Sequence, residues 1–530
     1  MIDGAMQPFA LTLDKVLDHA AKWHPRAEVV SARADGGVDR IGYADLADRS
    51  RRVSGVLQGL GAALGDRIAT LAWNSQAHVE AWYAIMGMGA VCHTLNPRLT
   101  ADQIAWMLDR SGARILIVSV DLLPLARQVA QRATGVERLL LIDGEAEESS
   151  AGRPLVTGLE ALLVACEDRP AWGRFDETQP CGLCFTSGTT GAPKGVTFTH
   201  RSSFLHAQRL LQVDTMAISG ADSVLAVVPM FHANAWGLPF AVPAAGGRLV
   251  LPGRQADGES LARLIRSEGV TAAVGVPTVW LGLLEHLEAS GTDVPSLDRI
   301  VVGGAPMPAA LMERLERSLG VKVQTTWGMT ELSPSGAVTP LGDAVRPAAQ
   351  SGRVALGVDL LITDPQGRPL PQQRNAEGNL RVRGAAVVER YFGETATALD
   401  ADGWFDTGDL ARLDDAGNLI ITGRAKDLIK SGGEWINPVE IEAVVGALPQ
   451  VSLAAVIGRG DAKWGERPIL LVELRDAGEI TDEALLAPLR GRVAPWWIPD
   501  AVVRLPSMPL AATGKIDKIR LRAEYGGAMP

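Results

Sequence analysis

Thr186-Ser187-Gly188-Thr189-Thr190-Gly191-Ala192-Pro193-Lys194-Gly195 gathers four hydroxyl side chains, three glycines and one lysine into ten residues. Glycines let backbone N–H groups close on an anion, hydroxyls donate to phosphate oxygens, and Lys194 adds a point charge. Just upstream, Cys181–Phe185 is short and mostly apolar, which predicts a buried strand delivering the loop. Just downstream, Gly195–His200 is β-branched and aromatic and predicts a returning strand. A Walker A loop differs: there Gly-Lys-Ser/Thr opens a helix and the hydroxyl binds magnesium. Here Lys194 precedes Gly195, so a metal ligand must come from elsewhere in the chain.

The rest of the chain sets the class of partner. Its 530 residues are enough for at least two domains with ample core. A formal net charge of -10 argues against non-specific binding to nucleic acid or anionic membrane, so any polyanion site must be local. No run reaches the roughly 18 apolar residues of a membrane span. Met1–Leu13 has no basic segment followed by an apolar one, so no signal peptide is expected and the predicted location is cytoplasmic. Four cysteines fit a reducing compartment, and Cys181 and Cys184, three apart on a strand with no second pair, are read as structural.

Up to about residue 180 the pattern alternates helix and strand: helical spacing in Leu11–Ala21, Tyr43–Leu60 and Val79–Gly87, strands at Arg67–Ala72 and Ile115–Val118. His93–Arg98 is predicted as an extended turn. Ser223–Val228 predicts a strand ending at Pro229-Met230-Phe231-His232, and His232 and Trp236 share a face if Ala233–Gly237 begins a helix. Three more strands end in Gly-, Pro- or hydroxyl-rich loops: Ala272–Val276, Arg299–Val302 before Gly303-Gly304-Ala305, and Val321–Thr325 before Thr326-Trp327-Gly328-Met329-Thr330-Glu331. Four strand ends converging on one crevice make a ligand site in an open α/β sheet. From about Gly352 short strands and turns follow, with a hairpin signal at Asp414–Leu419. Asn437 and Pro438 predict a helix start in a second, smaller domain.

Five motifs in order, Thr186–Lys194, Trp327–Glu331, Thr407-Gly408-Asp409, Gly423-Arg424 and Thr513-Gly514-Lys515, resemble those of the adenylate-forming superfamily. That group covers acyl-CoA synthetases, peptide-synthetase adenylation domains and luciferases. His93–Arg98, Pro229–Gly237 and Lys430–Ile436 look most like medium- and long-chain fatty acyl-CoA ligases and methylmercaptopropionate ligases. The resemblance implies an α/β fold: a large N-terminal domain of layered sheets with a β-rich subdomain (1–424), and a small mobile α+β domain (425–530). It implies ATP, Mg2+ and CoA, and two steps. A carboxylate attacks the ATP α-phosphorus and pyrophosphate leaves; a thiol then attacks the acyl carbonyl and AMP leaves. Two anions meet in the first step, so cations and donors around the phosphates are the main requirement.

By that resemblance Thr186, Ser187, Gly188, Thr189, Thr190, Gly191 and Lys194 cradle the β- and γ-phosphates, Thr330 contacts the α-phosphate, and Glu331 holds magnesium. Gly303, Gly304, Ala305 and Trp327 flank the adenine, with Gly328 and Met329 beside them, while Asp409 and Arg424 take the ribose. Lys515 bridges substrate carboxylate and α-phosphate. Lys426 is the hinge, and Gly432, Gly433 and Trp435 belong to the pantetheine tunnel. The acyl pocket is expected from His232, Ala233, Trp236, Val276, Trp327 and Met329, with His232 also among the catalytic residues. Only His232 in that set is ionisable, so an uncharged alkyl, aryl-alkyl or alicyclic acid is expected. Partners are then a small carboxylic acid, ATP and CoA, without nucleic acid, a homodimer being left open. Two alternatives stay open from sequence: an amide ligase using an amino acid or carrier protein, and a nucleotide-binding regulator without catalysis.

Overall fold

Strands Pro180–Phe185 and Gly195–Thr199 form as the composition predicts and pair antiparallel, Phe185 opposite Gly195. They close one edge of a seven-stranded sheet whose other neighbours run parallel: Leu155–Gly158, Arg138–Ile142, Ile115–Ser119, Arg67–Leu71 and Val91–Thr94, in that order. The computed structural model describes residues 3–144, 154–186, 193–475, 480–511 and 514–527.

A nine-stranded sheet faces the first. Its centre is parallel, made of Lys322–Gly328, Arg299–Val302, Ala272–Gly275, Ser223–Ala226, Arg248–Leu251 and Glu28–Ala32. Antiparallel strands finish both edges: Ser335–Val338 and Arg353–Val354 on one side, Val38–Gly42 on the other. The largest apolar core lies between the two sheets, around Trp82, Tyr83, Phe198 and Phe240. Separate cores bind the outer helices. Gly258–Glu268, Pro277–Ser290 and Ala309–Leu319 cover the nine-stranded sheet, while Ala101–Ser111 and Leu123–Arg132 cover the seven-stranded one. These parallel strands are buried on both faces, which explains their continuous apolar runs.

The β-rich region is an antiparallel sheet of Val358–Thr363, Gly378–Gly384, Phe405–Leu413 and Leu419–Arg424, its last two strands joined by the expected hairpin. A fourth sheet follows: Glu434–Ile436, Ile429–Ser431, Gly465–Leu474 and Val451–Asp461, with Ala501–Arg504 parallel to Gly465–Leu474. It has its own cores on both faces. The helix Pro438–Gly446 is capped by the Asn437 side chain as predicted.

Three local expectations change. His93 and Thr94 belong to the strand Val91–Thr94 rather than a turn, because both are buried between parallel neighbours. Trp327 and Gly328 are not loop: their strand runs on and pairs with Ser335–Val338. Ala233–Gly237 is not the start of a right-handed helix; Ala233, Asn234, Ala235, Trp236 and Gly237 all have positive φ, between 44 and 77°. Left-handed backbone costs about 1–2 kcal/mol per residue for ordinary side chains. Burial of Ala233, Ala235 and Trp236 offsets it, and the next turn of helix is pinned by Tyr83 Oη donating to Pro239 O at 2.8 Å. Cys181 and Cys184 are buried free thiols, and burial pushes Cys181 up to about 12, so both are structural. Among the described residues, no helix is long and apolar enough to cross a membrane.

Candidate active site

The strand pair brings Thr186 and Lys194 together at its open end, where Thr186 N donates to Lys194 O at 2.8 Å. Ser187, Gly188, Thr189, Thr190 and Gly191 lie outside the described residues. Lys194 Nζ sits 4.7 Å from the centre of the Tyr391 ring, and Tyr391 Oη donates to Glu331 Oε1 at 3.0 Å. Phe392 N, next along, donates to Gly195 O at 2.8 Å. Tyr391 therefore ties the phosphate loop to the carboxylate predicted to hold metal. The sequence reading missed it; the nearest signal was an aromatic hydroxyl in a turn 60 positions from Glu331.

Thr330 and Glu331 open a 3-10 turn and are both buried. Burial raises the Glu331 carboxyl above its ordinary pKa; Tyr391, Arg424 and Lys194 oppose this. A divalent cation would hold such a group ionised, and a hard carboxylate is the donor Mg2+ takes. Glu331 thus fits the metal expected from sequence. Among the described residues there is no cluster of three His, Cys, Asp or Glu able to hold a metal. Mg2+ shared between one carboxylate and substrate phosphates requires none.

Asp409 is buried at the Phe405–Leu413 strand, opposite Arg424 on the next. Arg424 Nε lies 2.6 Å from Asp409 Oδ1, and Trp327 Nε1 donates to Oδ2 at 2.9 Å. Burial raises the Asp409 carboxyl, while Arg424 and then Trp327 favour the carboxylate. Trp327 fits because position 336 is glycine; a methyl there would come within 2.5 Å of the ring. Gly328 is equally constrained, since a Cβ would meet Pro334 O at 2.2 Å. Trp327→Phe keeps the ring and removes the donor from Asp409. We expect KM for ATP to rise about fivefold to tenfold, the equivalent of one hydrogen bond, with kcat near wild type. An unchanged KM would remove Trp327 from this role.

Lys515 reaches this cleft from the small sheet's side of the chain. Its Cε lies 3.6 Å from where a Gly304 side chain would begin, a point also 3.4 Å from Val276 Cγ1 and 3.7 Å from Trp236 Cζ2. Gly514 packs on Val276 and Thr278 in the same way. Lys515 as a whole residue is exposed, while its ammonium end lies among protein groups of the cleft. That crowding, then the neighbouring Arg424, pushes its ammonium down to about 8. His232, half-buried beside the same cation, is pushed down to about 4 by burial and is neutral at pH 7.

The Trp236 ring packs against the glycine wall: a Cβ at Gly303 would meet its Cη2 at 3.0 Å. Ala233 is buried beneath it, and Met329 packs partly buried against the main core. Ala305 is half-buried beyond Gly304. Gly237 abuts His206, whose Nε2 accepts from Ser335 N at 3.2 Å. The described residues among the predicted nucleotide and acyl sets therefore share one cleft at the strand ends. Gly432, Gly433 and Trp435 are not part of it; they form an exposed hairpin turn, Gly432 against Trp464. Lys426 is exposed in the 3-10 segment Ala425–Asp427 that follows Arg424.

Comparison with known proteins identifies the family. Residues 17–392 match the model for AMP-binding enzymes, and residues 440–515 match that for the AMP-binding enzyme C-terminal domain. A 3-methylmercaptopropionyl-CoA ligase of Ruegeria lacuscaerulensis is 41% identical over 99% of both chains. A medium-chain-fatty-acid–CoA ligase of Ectopseudomonas oleovorans is 40% identical over 99% of this chain and 97% of its own. The crystal structure of an anthranilate CoA ligase with anthranoyl-AMP superposes with a TM-score of 0.88 at 25% identity, covering 98% of each chain. The chain belongs to the AMP-binding enzyme family and is an ATP-dependent acid–CoA ligase.

Proposed function

We propose that the cleft carries out adenylation in the conformation described, and that thioester formation follows after the last hundred or so residues rotate away. The observation that carries this reading is Lys515 against Gly304, beside Asp409 and Arg424. There its ammonium can neutralise the incoming acid and the α-phosphate as they meet, which is where charge concentrates. Asp409 orients the ribose hydroxyls, Thr330 donates to the α-phosphate, and Lys194 with the phosphate loop anchors the departing pyrophosphate. Mg2+ on Glu331 would supply charge neutralisation to that leaving group. Neutral His232 and the Trp236 ring line the approach of the acid.

The division we propose falls between residues 424 and 425, with Lys426 as the hinge. Arg475 and Glu285 join the two sides at 3.3 Å; Glu285 is 51% exposed, and such pairs contribute at most about 1 kcal/mol. Rotation about Lys426 would withdraw Lys515 and bring Gly432 and Gly433 to the cleft, where absent side chains leave room for a thiol arm. Four free cysteines favour the cytoplasm.

Acid-dependent exchange of labelled pyrophosphate into ATP tests adenylation, and CoA-dependent AMP release tests the second step. No exchange with any acid would refute adenylation in this conformation, and AMP release independent of CoA would refute the proposed second step. Trp236→Ala is expected to change the ratio of kcat/KM between long and short acids by about tenfold. An unchanged profile over the series would make Trp236 a packing residue.

A further inference from the structure

The segment 386–392 is fastened to the phosphate end of the cleft at three points. Val388 N donates to Glu331 O and Phe392 N to Gly195 O, each at 2.8 Å, and Ser333 Oγ donates to Ala386 O at 3.0 Å. Both ends of the segment are held, so the half-buried Tyr391 side chain starts from a fixed place. Its ring takes the Lys194 ammonium 4.7 Å from the ring centre, and its hydroxyl donates to Glu331 Oε1 at 3.0 Å. Among the described residues no other side chain donates to that carboxylate.

Lys194 and Glu331 carry opposite charges, and Lys194 is near enough to favour the ionised form of Glu331. Even so, among the described residues neither belongs to an ion pair within 4.0 Å. The flexible four-carbon stem of a lysine would otherwise let its ammonium swing onto the carboxylate. A direct pair would engage the charge that a phosphate needs and the oxygens that a divalent cation needs. Tyr391 gives each group another contact. The negative face of its ring attracts the cation, and its O–H engages one carboxylate oxygen. Burial, then the Glu331 charge, raises the Tyr391 phenol above its ordinary pKa, so the hydroxyl stays a donor.

We propose that Tyr391 is a positioning residue that keeps Lys194 and Glu331 apart until ATP binds and orients Glu331 for Mg2+. This rests on the roles proposed above for Lys194 and Glu331. A carboxylate with one oxygen hydrogen-bonded presents the other in a fixed direction, and losing such an outer partner costs about tenfold to 100-fold in metal affinity. The two tasks belong to different parts of one side chain. Tyr391→Phe removes the orienting hydroxyl and keeps the ring, whereas Tyr391→Ala removes both.

The test uses the full-length enzyme. ATP binding is measured by calorimetry without acid, first in EDTA and then over a Mg2+ series, so turnover does not enter the readout. Tyr391→Phe should leave the metal-free Kd for ATP within about twofold of wild type and raise the half-saturating Mg2+ about tenfold or more. Tyr391→Ala should also raise the metal-free Kd, by about tenfold, because Lys194 then pairs with Glu331. Adding Glu331→Gln to Tyr391→Ala frees the lysine, and the metal-free Kd should return to within about twofold of wild type. A tyrosine that merely supports the fold predicts equal losses with and without Mg2+ and no recovery in the double variant; that result overturns the proposal. Should Tyr391→Ala fail to fold, Tyr391→Phe decides: unchanged half-saturating Mg2+, with Glu331→Gln shifted, overturns it. A Glu331→Gln enzyme whose Mg2+ response equals wild type would instead overturn the metal role beneath it.

Discussion

Lys515→Ala is expected to lower acid-dependent pyrophosphate–ATP exchange by about 10²–10³-fold, the cost of removing one preorganised donor from a developing charge. Thiolysis of a supplied acyl-adenylate should stay near the wild-type rate, because the proposed rotation takes Lys515 out of the cleft before the thiol arrives. Equal loss of both half-reactions would refute that division of labour. The ammonium also gives a pH signature. Crowding lowers its pKa to about 8, so the charged form is fully present below that value and is lost as pH rises through it. Adenylation kcat/KM should therefore fall above about pH 8, and Lys515→Ala should flatten that limb. A limb that survives the substitution would belong to another group.

The second large effect is expected at Lys426. Proline there fixes its own φ near −65° and drives Ala425 towards extended backbone, where the chain has a 3-10 segment directly after Arg424. If this is the hinge, Lys426→Pro should slow overall CoA-ester formation by about tenfold or more, while pyrophosphate exchange changes far less. Both steps at normal rates would place the hinge elsewhere. The same substitution should leave the Asp409–Arg424 pair intact, because that pair is fixed by the strands on either side. KM for ATP in the exchange reaction reads this out.

Much of this arrangement is legible in the amino-acid order. Apolar Cys181–Phe185 and β-branched Gly195–Thr199 predict the strand pair because both are buried, and burial leaves a plain compositional trace. The motifs carrying Glu331, Asp409 and Lys515 are equally plain, and the fold brings Lys515 to the glycine wall and Asp409 to Arg424. Two features are not legible, each for a separate physical reason. Ala233-Asn234-Ala235-Trp236 has helix-compatible composition; its left-handed turn is imposed by the packing of Trp236 and the following helix, not by local preference. Tyr391 meets Glu331 through tertiary structure alone.

Chain order gives the cleft a further property during synthesis. Thr186, Lys194, Glu331, Tyr391, Asp409 and Arg424 all precede the small sheet, whereas Lys515 comes after its last strand, Ala501–Arg504. Domains emerge from the ribosome and fold from the N-terminus onward. A nascent chain can therefore assemble its nucleotide cradle while the lysine needed to spend that nucleotide is still being made. On the proposed roles, ATP captured at that stage would be held without being consumed until Lys515 is added.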